Sequence, residues 1–468
     1  MSKMTFGVIV GNRGFFPDAL AMEGRKAILE VLKKNGYGCV VLTEKDSKYG
    51  AVETFDEAKK CAELFKKNAA KIDGIIVTLP NFGDEKGVAE AVKRSGLNVP
   101  ILVQAEPDIS KDMTIAHRRD SFCGKISVCA NLLQANIPYS ITDTHTVSVS
   151  SDKFRAELDK FASVCRIIKG LKNVRFGAIG ARPAAFNTVR YSEKILESYG
   201  ISVEPIDLSE ILGRVGKLSD KDQAVAEKMK AIKEYVPTSK VPDASLLKMA
   251  KLGAVIDTWC KEVDVAATTI QCWTSIEEFY GVVPCTLMSM LSEKLAPSAC
   301  EVDVTGLLGM YILQLASQSP SALLDWNNNY GDDPDKCVLF HCSNLPKSFF
   351  ESTNMEYQAI IAGSVGKQNT YGTVCGRIAP NPATFLRTTT DDITGSIRCY
   401  VGEAEFTDDK LSTFGGYGVM RIPYLQDLLK YICENGFEHH VAVSISTKAA
   451  AINEALSTYL DWDVYYHG

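Results

Sequence analysis

The sequence predicts an α/β protein: two doubly wound α/β domains followed by a β-rich, barrel-like C-terminal domain. Three observations predict it. Apolar strand-like runs alternate with helix-like runs from Phe6 to about residue 165, the alternation restarts at "NVRFGAIGARP", and after about Phe350 the chain turns to short, glycine-punctuated β-rich pieces. At 468 residues the chain exceeds the ~100–200 residues of one ordinary domain. We place the domains at 1–168, 169–350 and 351–468.

The first domain reads in order as strand "FGVIVG", helix "DALAMEGRKAILEVLKKNG", strand "CVVL", helix "FDEAKKCAELFKKNAAK", and strands "DGIIVTLP" and "PILVQA". Strands that are apolar throughout, separated by helices, belong to a parallel sheet covered on both faces. The second domain opens with a strand ending in a Gly/Pro turn. It continues through "VRYSEKILESYG", "ISVEPIDLSEIL" and an amphipathic run from about Ser219 to Met249. Gly177 to Pro183 holds two glycines three apart and so lacks the G-x-G-x-x-G dinucleotide fingerprint. In the third domain "QAIIAGSVGKQNTYGTVCGRIAPNPATFLRTTT", "GSIRCYVGEAEF" and "GGYGVMRIP" predict an antiparallel sheet or barrel. Helices near Leu425–Glu434 and Thr447–Leu460 flank a strand that begins with a histidine pair.

Composition narrows the function. Hydrophobic residues at 46% and charged residues at 23% are ordinary for a folded globular chain. A net charge of −6 disfavours nucleic acid as a partner, since binding its backbone needs a concentrated basic surface. The start "MSKMTFGVIVGNRGFF" is too short in apolar residues for a signal-peptide core, and no apolar run reaches a membrane span. We therefore expect a cytoplasmic protein with no membrane partner. The fourteen cysteines include no C-x-x-C pair and mostly sit in apolar contexts, such as Cys39 in "YGCVVL" and Cys433 in "KYICENG". They are expected to be reduced and buried.

Candidate chemistry collects between Cys300 and Cys342 and at "NGFEHHVAV". Glu301 follows a turn at the head of an apolar helix, Asp325 follows a short apolar run, and His341 ends a strand. His439 and His440 are neighbours in an extended segment, where successive side chains point to opposite faces. At most one of the two is therefore expected to bind a metal directly. Two carboxylates with one or two imidazoles suit a divalent ion such as Mn²⁺. A carboxylate at a helix start can equally complement the helix dipole, and residue types alone leave both readings open.

Five ordered motifs add a resemblance: "TIQCWTSIEEFYGVVPCT", "ACEVDVTGLLGMYIL", "LDWNNN…LFHCSNLP", "TFGGYGVMRIP" and "ENGFEHHVAV". Together they resemble the L-fucose isomerase and L-arabinose isomerase superfamily, especially its shorter fucose-isomerase-like branch, as does "RRDSFCGKISVCANLLQ" in the first domain. The resemblance implies a Mn²⁺-dependent aldose–ketose isomerase, with metal carboxylates at Glu301 and Asp325, a metal histidine at His440 and a further ligand at His341. His439 then points outward or toward substrate.

Isomerisation through an enediol fits these residue types. A bound cation would stabilise the developing negative charge while one carboxylate acts as base and the other as acid, for which Glu301 and Asp325 are the candidates. A hydride shift is the rival route. Gln271, Trp273 and Asn344 supply sugar-binding groups, with core packing the alternative for Trp273. The resemblance also implies a homo-oligomer, a trimer or hexamer, to whose sites Arg13, Arg118, Arg119 and Lys125 of a neighbouring first domain could contribute; surface ion pairing is their alternative role. That basic cluster suggests a sugar with a 6-sulfo or 6-phospho group. Two other classes fit the same scaffold: a non-catalytic sugar sensor, and a metal-dependent hydrolase or aldolase.

Overall fold

The computed structural model describes residues 3–468. The chain forms two compact units, one running to Lys169 and including Glu454–Asp461, the other made of Gly170–Asn453 and Trp462–Gly468.

The first unit is built on β1 (Thr5–Val10), α1 (Asp18–Lys34), β2 (Gly38–Val41), α2 (Phe55–Lys67), β3 (Gly74–Leu79), α3 (Glu85–Ser95), β4 (Ile101–Ala105), α4 (Ser121–Gln134) and β5 (Ser140–Ile141), with α5 (Asp152–Leu171) leading out of it. Its five strands are all parallel, in the order β2-β1-β3-β4-β5. Residue parity along each strand divides the core into two layers. Phe6, Val8, Val10, Ile76 and Leu102 pack with Ile28 and Phe161 on one face, while Ile9, Ile75, Val77 and Val103 pack with Phe65, Val88 and Val128 on the other. Each such side chain gains about 1.5–3 kcal/mol from burial, which fixes the register because a one-residue slip would exchange the two layers. Helix α2 begins at a capping box in which Thr54 and Glu57 satisfy each other's backbone N–H groups.

The second unit opens with β6 (Val174–Ile179), α6 (Glu193–Ser198), β7 (Ile201–Ile206), α7 (Leu208–Gly216), α8 (Gln223–Tyr235), α9 (Asp243–Val263), β8 (Ala267–Ile270), α10 (Ser275–Phe279), α11 (Cys285–Glu293), β9 (Ser298–Cys300) and α12 (Val304–Ser317). Its parallel sheet has the order β7-β6-β8-β9. The amphipathic run around Ser219–Met249 is two helices, because Pro237 and Pro242 in the intervening segment each lack the N–H a continuous helix requires.

A second sheet in this unit comprises β10 (Ser321–Asn329), β11 (Lys336–His341), β12 (Asn354–Tyr357), β13 (Tyr371–Arg377), β14 (Asn381–Asp391), β15 (Ser396–Phe406), β16 (Gly416–Arg421), β17 (His440–Ser444) and β18 (Asp463–His467), with α13 (Ala359–Val365) and α14 (Leu425–Glu434) between strands. The order is β12-β13-β16-β11-β10-β17-β14-β15-β18, and an additional β15–β16 pairing closes six of these strands into a ring. The ring is filled by Leu324, Leu339, Phe385, Tyr400, Phe406, Met420, Val441 and their neighbours. The fold is therefore α/β with a barrel-like C-terminal part, as the sequence predicts.

All fourteen cysteines are free and most are buried, but Cys39, Cys123 and Cys433 are exposed. Cys39 lies on β2, an edge strand of its sheet, and Cys433 sits off the buried face of α14 formed by Leu425, Leu428 and Ile432. An apolar local context did not reveal that each points away from the core.

Candidate active site

In the β7-β6-β8-β9 sheet the chain goes from β6 outward to β7 and then crosses back to β8, so β6 and β8 flank a topological switch point. Ligand crevices of open parallel sheets lie outside the carboxyl ends of the strands at such a point. The loops leaving β6 and β8 are tied together there: the Gln271 N–H donates to the Ile179 carbonyl at 2.9 Å, and the Ala181 N–H donates to Gln271 Oε1 at 3.0 Å. Gly180 between them has φ +82° and a Cβ would lie 2.6 Å from Gln271 Oε1, so only glycine fits this junction. Phe186 from the β6 loop meets the rings of Trp273 and His439 edge-on, at 5.2 and 5.5 Å.

Strand β9 delivers the first carboxylate. Glu301 and Val302 both adopt left-handed backbone conformations, with φ 61° and 56°, which is costly for any side chain and most of all for a β-branched one. The next residue anchors this turn to the helix beyond it: the Asp303 carboxylate caps α12 by accepting from the Gly306 N–H at 2.8 Å. Glu301 is thereby turned into the crevice, where its Oε1 accepts from Trp273 Nε1 at 2.8 Å.

The ring of strands delivers the other groups. Antiparallel register sets Asp325 of β10 directly opposite His440 of β17, which places both side chains on one face. His440 Nε2 lies 3.0 Å from Glu301 Oε2 and 3.4 Å from Asp325 Oδ1. His439 precedes the strand, is far more exposed than His440, and still brings Nε2 to 3.7 Å from Asp325 Oδ1. Glu301, His341 and His440 can each offer one donor atom within 4.8 Å of the others, as can Asp325, His439 and His440.

Behind His440 lies a buried charge network. The Asp303 carboxylate is 2.8 Å from His440 Nδ1 and accepts from both terminal nitrogens of Arg387, at 2.5 and 3.2 Å. Arg387 Nε donates to Glu438 at 3.0 Å, and the Thr389 hydroxyl donates to the other Glu438 oxygen at 2.6 Å. Asp303 and Arg387 are fully buried. Neither they nor Glu438 and Phe186 emerge from the sequence as site residues. The available signal was weak: a second acid in "CEVDV" and an acid before the histidine pair.

Burial acts on every titratable group here, and neighbouring charges decide the outcome. Burial alone would raise the Glu301 carboxyl, but His440 and His341 outweigh it and hold the group below its ordinary value. For Asp325 burial prevails over the same histidines and the carboxyl is raised. The two carboxyls are thus pushed in opposite directions, the pattern by which paired acids acquire different proton-transfer roles. Burial would depress the His440 imidazolium, yet Asp303 and Glu301 raise it to about 10. His341 rises to about 9 against its burial, chiefly through Cys342. His439 is lowered, by burial and by His440.

A divalent ion fits these residues. Glu301 Oε2 and Asp325 Oδ1 are buried with no hydrogen-bond partner; the 3.0 Å approach of His440 Nε2 to Glu301 is an ion-pair contact without hydrogen-bond alignment. Two unpartnered carboxylate oxygens converge with an imidazole whose far nitrogen is held by a carboxylate, the outer-sphere partner that metal-binding histidines characteristically carry.

The other residues expected from the sequence divide between the two units. Asn344 is buried, with its amide nitrogen 3.5 Å from the Ser298 carbonyl and its Oδ1 unpartnered. Gln271 also donates to Ser275 Oγ at 3.2 Å. Arg13, Arg118, Arg119 and Lys125 belong to the first unit and each has an acceptor within it. Arg13 pairs with Glu85, Arg118 with Asp120 at 2.8 Å, Arg119 donates to the Pro80 carbonyl at 2.8 Å, and Lys125 donates to Thr142 Oγ1 at 2.7 Å.

Residues 7–172 match the family "Fucose/sulfoquinovose isomerase, N-terminal domain", and residues 339–467 match "L-fucose isomerase, C-terminal domain". Among curated proteins, the sulfoquinovose isomerase of Alkalicoccus urumqiensis is 23% identical over 274 residues, 58% of this chain and 59% of that protein. That of Priestia aryabhattai is 24% identical over 292 residues, 62% of this chain and 63% of that protein. That of Clostridium sp. (strain MSTE9) is 25% identical over 157 residues, 33% and 35% of the two chains. The matched region thus spans about six tenths of the length of the first two relatives. A solved periplasmic solute binding protein of an ABC transporter from Actinobacillus succinogenes 130z, with bound D-allose, covers 67% of this chain and 92% of its own at 12% identity. Its TM-score of 0.17 carries no structural inference. The two family matches, one toward each end and together more than half of the chain, show that it belongs to the fucose isomerase family, in the fucose-isomerase-like branch that includes the sulfoquinovose isomerases.

Proposed function

We propose that the protein is a divalent-metal-dependent aldose–ketose isomerase whose sugar carries an anionic group at its far end. The observation that carries this reading is the convergence of Glu301, Asp325 and His440 with two buried, unpartnered carboxylate oxygens facing the imidazole. The names of the relatives, all sulfoquinovose isomerases, support both the reaction class and the anionic substituent.

Glu301, Asp325 and His440 would hold the ion, with His341 and His439 within reach of the same groups. We take Mn²⁺ as the ion; bound there, it would supply a positive charge that stabilises an enediolate. The chain's own residues supply the rest. To interconvert aldose and ketose, the proton on C2 must leave and return at C1. One of the two carboxylates takes it while the other serves as acid toward the carbonyl oxygen, and the roles exchange in the reverse direction. Trp273 fixes Glu301 through its indole N–H, and Asp303 fixes the tautomer and rotation of His440. The rings of Phe186 and Trp273 form an apolar wall against which a sugar's C–H face can lie. A cytoplasmic homo-oligomer remains part of the proposal, and sedimentation velocity reads the association state directly.

The test is proton NMR in D₂O with protein stripped by a chelator and restored with Mn²⁺, using 6-sulfo, 6-phospho and neutral hexoses. Metal-dependent ketose formation with solvent deuterium entering at C1 of the ketose, and at C2 of the aldose re-formed by the reverse reaction, is the expected result. Conversion without deuterium would replace the enediol by a hydride shift, and no conversion of any sugar by metal-loaded protein would sink the isomerase proposal.

A further inference from the structure

We propose that Arg182 and Arg190 form the subsite for the anionic end, a sulfonate or phosphate, of the sugar. This rests on the isomerase proposal for the rest of the ligand and adds the residues that would select it. The loop from β6 to α6 borders a cleft of 660 Å³ whose lining includes Arg182, Asn187 and Arg190 together with Val302, Thr389 and Glu438. The cleft adjoins the carboxylates through the chain itself: Val302 follows Glu301, and Glu438 lies two residues before His440.

Two features make this cleft receptive to an oxyanion. First, neither arginine is in an ion pair among the described residues. Arg182 donates only to the Phe186 carbonyl at 3.3 Å and Arg190 only to the Asn187 carbonyl at 2.9 Å. Each guanidinium has five donors, so most of the fork on both remains open. Second, the acids that border the cleft offset this charge only in part, one open carboxylate against two guanidiniums. Glu438 is committed to Arg387 and Thr389, which leaves Asp392 as the other carboxylate in the lining. Planar guanidinium forks match the paired oxygens of sulfonate and phosphate. By contrast, the basic residues singled out in the first unit are each engaged there by an acceptor. The loop also carries Phe186, whose ring touches Trp273 and His439, so one segment would contact the sugar body and its charged tail.

The test is calorimetric binding of 6-deoxy-6-sulfo-hexose, hexose 6-phosphate and the neutral hexose at low ionic strength. The proteins are wild type, R182Q/R190Q and R182K/R190K, with thermal melts to check folding. Wild type is expected to favour the anionic sugars, and the sulfonate and phosphate arms show which oxyanion it prefers. In R182Q/R190Q the affinity for anionic sugars should fall roughly 10- to 100-fold, the effect of losing one or two charge-assisted contacts, while that for the neutral hexose changes little. R182K/R190K should keep part of the preference. A wild-type protein that binds the anionic sugars no better than the neutral one, including not at all, overturns the subsite, as does an equal loss for all three sugars in R182Q/R190Q. The isomerase proposal fails separately, on absence of ketose, even where the anionic preference and its loss in R182Q/R190Q are intact.

Discussion

Asp303 and His440, 137 residues apart in sequence, are joined by a 2.8 Å contact between a carboxylate oxygen and Nδ1. The contact directs Nε2 of His440 at Glu301 and Asp325, and it is backed by the bidentate grip of Arg387 on the same carboxylate. Asp303→Asn keeps the shape and removes the charge. Mn²⁺ affinity is expected to fall about 10- to 100-fold, the usual effect of losing an outer-sphere partner, measured by calorimetry on chelator-stripped protein. The buried Arg387 then lacks its main counter-charge, so urea denaturation should show a loss of about 3–5 kcal/mol. Unchanged metal affinity would remove Asp303 from its orienting role.

The carboxylates themselves should be dispensable for folding and indispensable for turnover. Each of Glu301→Gln and Asp325→Asn removes one proton-transfer group. Turnover should drop by roughly 10²–10⁴, the range ascribed to general acid–base catalysis. Deuterium exchange at C2 should be lost in parallel, which separates a failure of proton abstraction from a failure of sugar binding. Retention of the wild-type rate by either variant would exclude that residue as base or acid.

Much of the fold is legible because it is written locally. Short β-branched apolar runs such as Ile75–Val77, bounded by turn residues, read as strands covered on both faces, and the proline pair bracketing Thr238–Val241 divides two helices. Glu301, Asp325 and His440 were reachable through ordered motifs. Asp303, Arg387 and Glu438 were not, because their meaning is their pairing, and the partners lie 84 and 51 residues apart. An arginine in "FLRTTT" reads as a solvated strand residue until β14 is seen against α12 and the start of β17. The histidine pair shows a different limit. Strand alternation correctly separates a buried His440 from an exposed His439, but His439 lies just before the strand, and there alternation no longer keeps it away from Asp325.

Glu277 gives a pH signature distinct from catalysis. It is fully buried in α10, and neither carboxylate oxygen has a partner; burial pushes its carboxyl up from 4.5 to about 8. Between those values the native state binds a proton that the unfolded chain has released. Stability therefore falls as pH rises through this window, and the loss is complete above pH 8. The linked free energy is on the order of 3 kcal/mol, given that a buried charge draws in some water. Glu277→Gln should remove that slope and be the more stable protein at pH 9. Urea midpoints at pH 5, 7 and 9 on chelated protein provide the check, and parallel pH profiles for the two proteins would contradict it.

Metal removal should be visible in the folded state without any sugar. An ion that binds only the native site stabilises by about 2.7 kcal/mol when present at a hundred times its dissociation constant, which moves a melting midpoint by a few degrees. Adding Mn²⁺ to stripped protein should raise the midpoint, a chelator should reverse the change, and the double variant E301Q/D325N should not respond. The location of the effect is as informative as its size. Glu301 sits in a left-handed turn whose carboxylate oxygen lacks a hydrogen-bond partner, so the ion should slow amide exchange most in Cys300–Asp303 and at the facing ends of β10 and β17. Protection confined to the first unit, which contains none of these groups, would place the ion elsewhere and refute its assignment to Glu301, Asp325 and His440.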